Sequence, residues 1–182
     1  MTHDRKNISR RTVTAGMAWS VPAVAVASAA PAFAASTVCP STKVTGDAVK
    51  YPGKSSFGTK QAYGFPLEIT NTTDQIIVIA PGTAYVEFDK KDRVDAGSVI
   101  FYDGDPCKGG KPITDKDALT LEPGASLSLW YVVNETGNSA NESGCIHSTI
   151  TVELASGEWP EGDECESVRN ETVCFDETPP SC

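Results

Sequence analysis

The chain has 182 residues and a net charge of −9, with 24 acidic against 15 basic side chains. Four of the basic residues and one acid lie in residues 1–34, so the remainder holds 11 basic and 23 acidic residues, a net of −12. A surface that acidic repels phosphate backbones and anionic lipid, which argues against a nucleic-acid partner and leaves solubility as the plain meaning of the charge.

Residues 1–34 read as an export signal. Arg5, Lys6, Arg10 and Arg11 give a basic start, and Met17 to Ala30 is a dilute apolar run rich in alanine. Ala32-Phe33-Ala34 fits the small-x-small rule, so cleavage is expected after Ala34 or Ala35. Proline and alanine weaken the run as a membrane span, which needs about 20 strongly apolar residues. Val38 before Cys39 argues against lipidation, and the end Thr178-Pro179-Pro180-Ser181-Cys182 carries neither an apolar tail nor a sortase-type Leu-Pro motif. Ser9-Arg10-Arg11-Thr12-Val13 resembles the twin-arginine signal, a receptor-read address. Thr14 stands where that pattern has a large apolar residue, so a general secretory signal stays open. With Trp19-Ser20-Val21-Pro22 and Pro31 to Ala35, the leader resembles those of secreted proteins from high-GC Gram-positive bacteria. The resemblance implies a cargo that is secreted or associated with the cell surface, with no membrane anchor after cleavage.

About 147 residues then remain, enough for one domain that buries roughly 70% of its unfolded surface. Phe65, Leu67 and Ile69 alternate with polar or turn-type residues, the period of a half-buried strand. Gln75 to Ala80 is apolar on both faces and reads as a central strand, ended by Pro81-Gly82. Ala84, Val86 and Phe88 resume the alternation, a charged turn follows from Lys90 to Asp95, and Val99 to Tyr102 is the next strand. Leu119 and Leu121 precede a Pro123-Gly124 turn. Leu127, Leu129, Tyr131 and Val133 then share one face, with Ser128, Trp130 and Val132 on the other. Ile146, Ile150, Val152 and Leu154 line one face of the last long strand, and Thr172 to Phe175 is expected as an edge strand.

These spacings predict an all-β, two-layer antiparallel sandwich with a disulfide-stapled C-terminal extension. The expected divisions are the signal (1–34), an N-terminal segment (35–60), the sandwich core (61–154) and an acidic, cysteine-rich extension (155–182). Leu119-Thr120-Leu121-Glu122-Pro123-Gly124 followed by Ser-Leu-Ser-Leu, with the Ile69-Thr70-Asn71-Thr72 turn, resembles extracellular immunoglobulin-like modules. That likeness implies a fold and no activity, and the antibody-type Cys–Trp–Cys spacing is absent.

Cys39, Cys107, Cys145, Cys165, Cys174 and Cys182 all lie beyond the signal. An even count in an exported chain implies three disulfides. Zinc prefers closely spaced thiolates, and there is no Cys-x-x-Cys. Sequence does not choose among the 15 possible connectivities. Loop length favours Cys165–Cys174, which leaves Cys107–Cys145 to staple a loop to a strand and Cys39–Cys182 to tie the termini.

The chemistry is sparse. His3 leaves with the signal, so any triad or two-histidine metal site would have to use His147, which the alternation puts on a wet face. No pair of acids stands out as a glycosidase dyad. Asp89, Asp92 and Asp95, and Asp103 and Asp105, cluster in turns but match no calcium loop, and cations are interleaved among the first three. No cofactor, metal or catalytic role is expected. Asn71, Asn134, Asn141 and Asn170 each head an N-x-S/T sequon, read behind this leader as polar loop residues. The expected work is structural or adhesive, through contacts with an extracellular protein or cell-envelope component. The alternative is a carbohydrate-binding module that offers Tyr85 and Trp159 as exposed platforms to a glycan, while Trp130 packs.

Overall fold

The structure, a computed structural model, describes residues 39–51, 58–137, 142–157, 159, 165 and 167–177. The described strands are β1 (Ser41–Val44), β2 (Val49–Lys50), β3 (Tyr63–Thr70), β4 (Ile77–Phe88), β5 (Lys91–Asp95), β6 (Ser98–Tyr102), β7 (Thr120–Leu121), β8 (Ser126–Asn134), β9 (Gly144–Leu154) and β10 (Val168–Phe175). They form two antiparallel sheets. The first has the order β1-β3-β8-β6, with β2 also on β3; the second has the order β10-β9-β4-β5, with β7 also on β4. This is the two-layer antiparallel sandwich that the alternation predicts.

Period-2 alternation builds the core as expected. Phe65, Leu67, Ile69, Leu129, Tyr131 and Val133 of the first sheet meet Ile77, Ile79, Val86, Ile146, Ile150 and Val152 of the second, all essentially closed to solvent. Each such side chain contributes about 1.5–3 kcal/mol by leaving water. Rings fill the ends. Tyr63 stacks on Phe175 at 4.5 Å between centroids, and Tyr131 contacts Phe65 at 5.3 Å and Phe101 at 5.6 Å.

Two prolines sit inside strands, and each is accommodated by a local irregularity. Pro66 lies in the middle of β3 and has no N–H to donate. Its carbonyl accepts from Thr45 at 3.0 Å, so the missing donor faces the edge ribbon. There the ribbon parts into β1 and β2, and Gly46 leaves room for the ring: a Cβ at Gly46 would come within 2.9 Å of Pro66 Cγ. Pro81 corrects the sequence reading more sharply. Pro81-Gly82 does not end a strand; β4 runs through it, and the register with β9 shifts between Pro81 and Ala84. A bulge absorbs the residue that a regular ladder could not.

Other expectations need correction. Lys91–Asp95 is not a turn but a strand paired with β4. Residues 41–50 are not outside the sandwich, since β1 and β2 extend the first sheet. The C-terminal segment is not an appendix either. β10 is twice the expected length, pairs with β9 from Val168↔Thr151 to Phe175↔Gly144, and places Val173 and Phe175 in the main core. A local strand pattern of Arg, Asn, Glu and Thr hides that role, because only the last two apolar residues reach the interior.

The bridges also differ from the favoured pairing. Cys39 joins Cys165, Cys145 joins Cys174, and Cys107 is disulfide-bonded as well. Cys174 lies opposite Cys145 in the β9–β10 ladder, so strand pairing, not loop length, selects it. Cys39, just before β1, then meets Cys165, which precedes β10, where the two sheets' edges adjoin. Disulfides of this kind belong to an oxidising compartment.

Candidate functional site

The outer face of the second sheet displays the most organised set of polar side chains. Ladder pairing sets Asp95 of β5, Tyr85 of β4, His147 of β9 and Thr172 of β10 in one row across four strands. Side chains in such a row stand within reach of one another. The His147 ring lies 4.5 Å from Tyr85 at 12° between planes, and from the other flank the Arg93 guanidinium carbon sits 3.7 Å from the Tyr85 ring centre. Tyr85 is thus clasped on both faces. Arg93 is held in turn by Asp95, with Nε and Nη2 donating to Oδ1 at 2.8 and 2.7 Å. His147 Nε2 lies 3.3 Å from Glu87 Oε2, and Nδ1 lies 3.3 Å from Thr172 Oγ1.

Next to this row the β4 bulge is closed from both sides. On the outer side, Thr149 Oγ1 accepts from the Thr83 N–H at 2.7 Å and donates to the Thr83 carbonyl at 3.0 Å. From the core, the Tyr131 hydroxyl donates to the Thr149 carbonyl at 2.9 Å. Burial pushes the Tyr131 phenol far above its ordinary value, so it remains a donor. Gly82 is required here, because a Cβ would fall 2.2 Å from Thr149 Oγ1. Two depressions flank Tyr85. One, of ≈ 150 Å³, is lined by Thr83, His147, Thr149, Asn170 and Thr172; the other, of ≈ 490 Å³, by Gly82, Arg93, Asp95, Gly97 and Val99.

Two acids of this face, Glu87 and Asp95, are paired with His147 and Arg93. His147 is on the outer face, as its alternation predicts, in a row with no serine or cysteine nucleophile.

Other sequence-selected residues do structural work. Trp159 is not an exposed platform: it packs on the main core and its Nε1 donates to the Val152 carbonyl at 3.3 Å. Tyr85 is half-buried, and neither of its faces is free for a sugar. Trp130 packs as expected, against a second cluster of Tyr51, Ala62, Tyr102 and Val132. Asp89 accepts from Ser143 Oγ, Asp103 from the Lys111 N–H at 2.6 Å, and Asp105 from the Cys107 N–H at 3.0 Å. Among the described residues, no three His, Cys, Asp or Glu side chains gather as a metal site. Asn71 is fully buried. Its amide donates to Gln75 O at 2.7 Å and Leu121 O at 2.8 Å, and its oxygen accepts from the Thr73 N–H. Asn134 is buried too, accepting from the Lys60 N–H at 3.1 Å. Arg10, Arg11, Ala32, Ala34, Ala35, Asn141 and Cys182 lie outside the described residues.

Arg93 is the site residue that the sequence reading misses. Its signal is the alternation of Lys91, Arg93 and Asp95 around Val94, which fits a charged edge strand as well as a turn.

No family model matches the chain, and no curated protein matches it. Solved structures similar to it include these three. The Northeast Structural Genomics Consortium target SoR45 is 14% identical with a TM-score of 0.41, over 78% of this chain and 88% of that one. The ASH/PapD-like domain of human CEP192 is 11% identical with a TM-score of 0.39, over 78% and 87%. A FixG-related protein from Vibrio parahaemolyticus is 15% identical with a TM-score of 0.35, over 79% and 100%.

Proposed function

We propose that this chain is exported, loses residues 1–34 and works at the bacterial cell surface as a non-catalytic β-sandwich that acts through protein contacts. The observation that carries this reading is the clasped row on the second sheet. Arg93, Tyr85 and His147 brace one another on a flat, solvent-facing surface, so they lose little freedom when a partner docks, and preorganisation of that kind favours binding. The flanking depressions open to solvent, unlike the enclosed pockets that hold small molecules. The disulfides fit the oxidising side of a membrane. The glycan alternative loses its footing, because Tyr85 has both faces covered and Trp159 packs inward.

The route is tested by replacing Arg10 and Arg11 with lysine. Secretion should fall, and undiminished secretion rules out the twin-arginine path. The site is tested by adding the oxidised protein to native cell envelope. Retention should vanish after protease treatment of the envelope and drop with Arg93→Ala/His147→Ala. Retention that survives protease, or is equal for the variant, overturns protein docking at this face.

A further inference from the structure

The second sheet has two edges, and they are made differently. β5 carries charge at four of its five positions, and its register with β4 shifts between Val86 and Phe88. Charge and irregularity are the usual ways of keeping an edge from pairing. β10 has no bulge and no row of exposed charges; its two charges, Arg169 and Glu171, are half-buried. Its eight residues hold an unbroken register with β9, contain no Lys or Pro, and expose Val168. Among the described residues, no strand pairs with its other edge.

The charges on β10 are also incomplete. Val168, Asn170, Thr172 and Cys174 are exposed, whereas Arg169 and Glu171 are half-buried beneath the strand. Arg169 Nε and Nη2 are closed to solvent and have no hydrogen-bond partner among the described residues. Glu171 accepts from Thr42 Oγ1 through Oε1, which leaves Oε2 over.

We propose that β10 is the surface on which two copies of this chain pair, antiparallel about a twofold axis at Asn170. Asn170 then lies opposite the partner's Asn170. Arg169 lies opposite the partner's Glu171, Glu171 opposite the partner's Arg169, and Val168 opposite the partner's Thr172. Within the strand, no other symmetric register sets the unlike charges opposite each other; an axis at Arg169 or at Glu171 opposes like charges, which destabilises a cross-strand pair. Turning outward, the guanidinium exchanges two unsatisfied nitrogens for a charge-assisted contact with carboxylate. The contact is isologous, so it closes at two copies and pairs the edge that no described strand covers. It does not rest on export or on the proposed docking role, but it borders that face, since Thr172 ends the row and Asn170 lines the smaller depression.

The test is the oligomeric state of the oxidised protein by sedimentation across a dilution series. The natural sequence should run as two copies. Arg169→Glu and Glu171→Arg should each run as one copy with an unchanged circular dichroism spectrum. An equimolar mixture of the two variants, and the doubly exchanged R169E/E171R chain, should return to two copies, because unlike charges face each other again. A natural sequence that stays single at its solubility limit overturns the proposal, as do single variants that remain paired or a mixture that remains single. Should either variant fail to fold, amide exchange of the natural chain decides. Protection at Val168, Asn170 and Thr172 that rises with concentration supports the pairing, and protection independent of concentration overturns it.

Discussion

The two sheets treat their outer faces in opposite ways. The first sheet covers much of its own: Tyr51, Ala62, Tyr102 and Val132 form a buried cluster there, with Ile100, Trp130 and Cys107 packed against it. The Tyr51 hydroxyl points to Asp105 at 3.5 Å, and burial followed by the Asp105 charge drives its phenol far above the ordinary value. The second sheet leaves its face open and dresses it with the Arg93–Tyr85–His147 row. One layer therefore has apolar side chains on both faces, and the other has the one-sided burial that leaves a face open to solvent. Aromatic residues of similar size serve as core in one place and as a braced surface in the other.

The largest expected effect comes from cutting the tie between the sheets. Cys39–Cys165 closes a separation of 126 residues and Cys145–Cys174 one of 29. On the chain-entropy account, removing the first should cost about 5 kcal/mol and removing the second about 3.5 kcal/mol. Urea unfolding of Cys39→Ala/Cys165→Ala and of Cys145→Ala/Cys174→Ala checks the order. A larger loss for the bond inside the second sheet would mean that joining the layers is not what the longer bridge contributes.

Next come the two outer faces themselves. Tyr51→Ala empties a site with no solvent exposure and should cost about 3–5 kcal/mol, the range for large aromatics removed from a core. Tyr85→Ala removes a ring from an open face and should cost about 1 kcal/mol, since exposed cation–π and cross-strand pairs are worth that much or less. Equal losses in urea unfolding would erase the distinction between the faces. If Tyr85→Ala abolishes envelope retention with this small loss of stability, the distinction sharpens into one between stability and recognition.

The contrast explains what could be read from the sequence. Alternation at Phe65-Leu67-Ile69 and at Leu127-Leu129-Tyr131-Val133 is a local signal, and it predicts both the strands and their inward faces. The second cluster is not local. Val132 and Trp130 alternate correctly onto the outer face, but their burial depends on Tyr51, some eighty residues earlier, and on the loop bearing Cys107. The disulfides and the length of β10 elude sequence for the same reason, since both are set by which strands become neighbours. Pro81-Gly82 misleads because a bulge and a chain break share the same residues; Thr149, which closes the bulge, is far away in sequence. Asn71 shows how a sequon can mislead, for its amide satisfies buried carbonyls and leaves no room for a glycan.

The smallest effect concerns the hairpin that carries Arg93. Glu142 is nearly covered; its Oε1 accepts from the Lys90 N–H at 2.7 Å, and Oε2 meets Lys91 Nζ at 3.0 Å. Burial alone would raise this carboxyl, but the hydrogen bonds from Lys91 and from the Lys90 backbone, with both lysine charges, outweigh it and hold the carboxyl below its ordinary value. A carboxyl lowered in the folded state adds stability above its unfolded value of about 4.3 and loses it as pH falls through the folded value. The Lys90–Lys91 turn should therefore loosen in acid while the buried Tyr51 cluster does not. The Lys90 amide shift, followed by NMR, should titrate with the Glu142 carboxyl. Glu142→Gln should abolish that titration yet keep the Lys90 bond, because an amide oxygen still accepts from the backbone. Persistence of the titration in the Gln variant would assign the acid sensitivity to another carboxyl. Glu142 would then not be the group that holds the open sheet's edge hairpin in place.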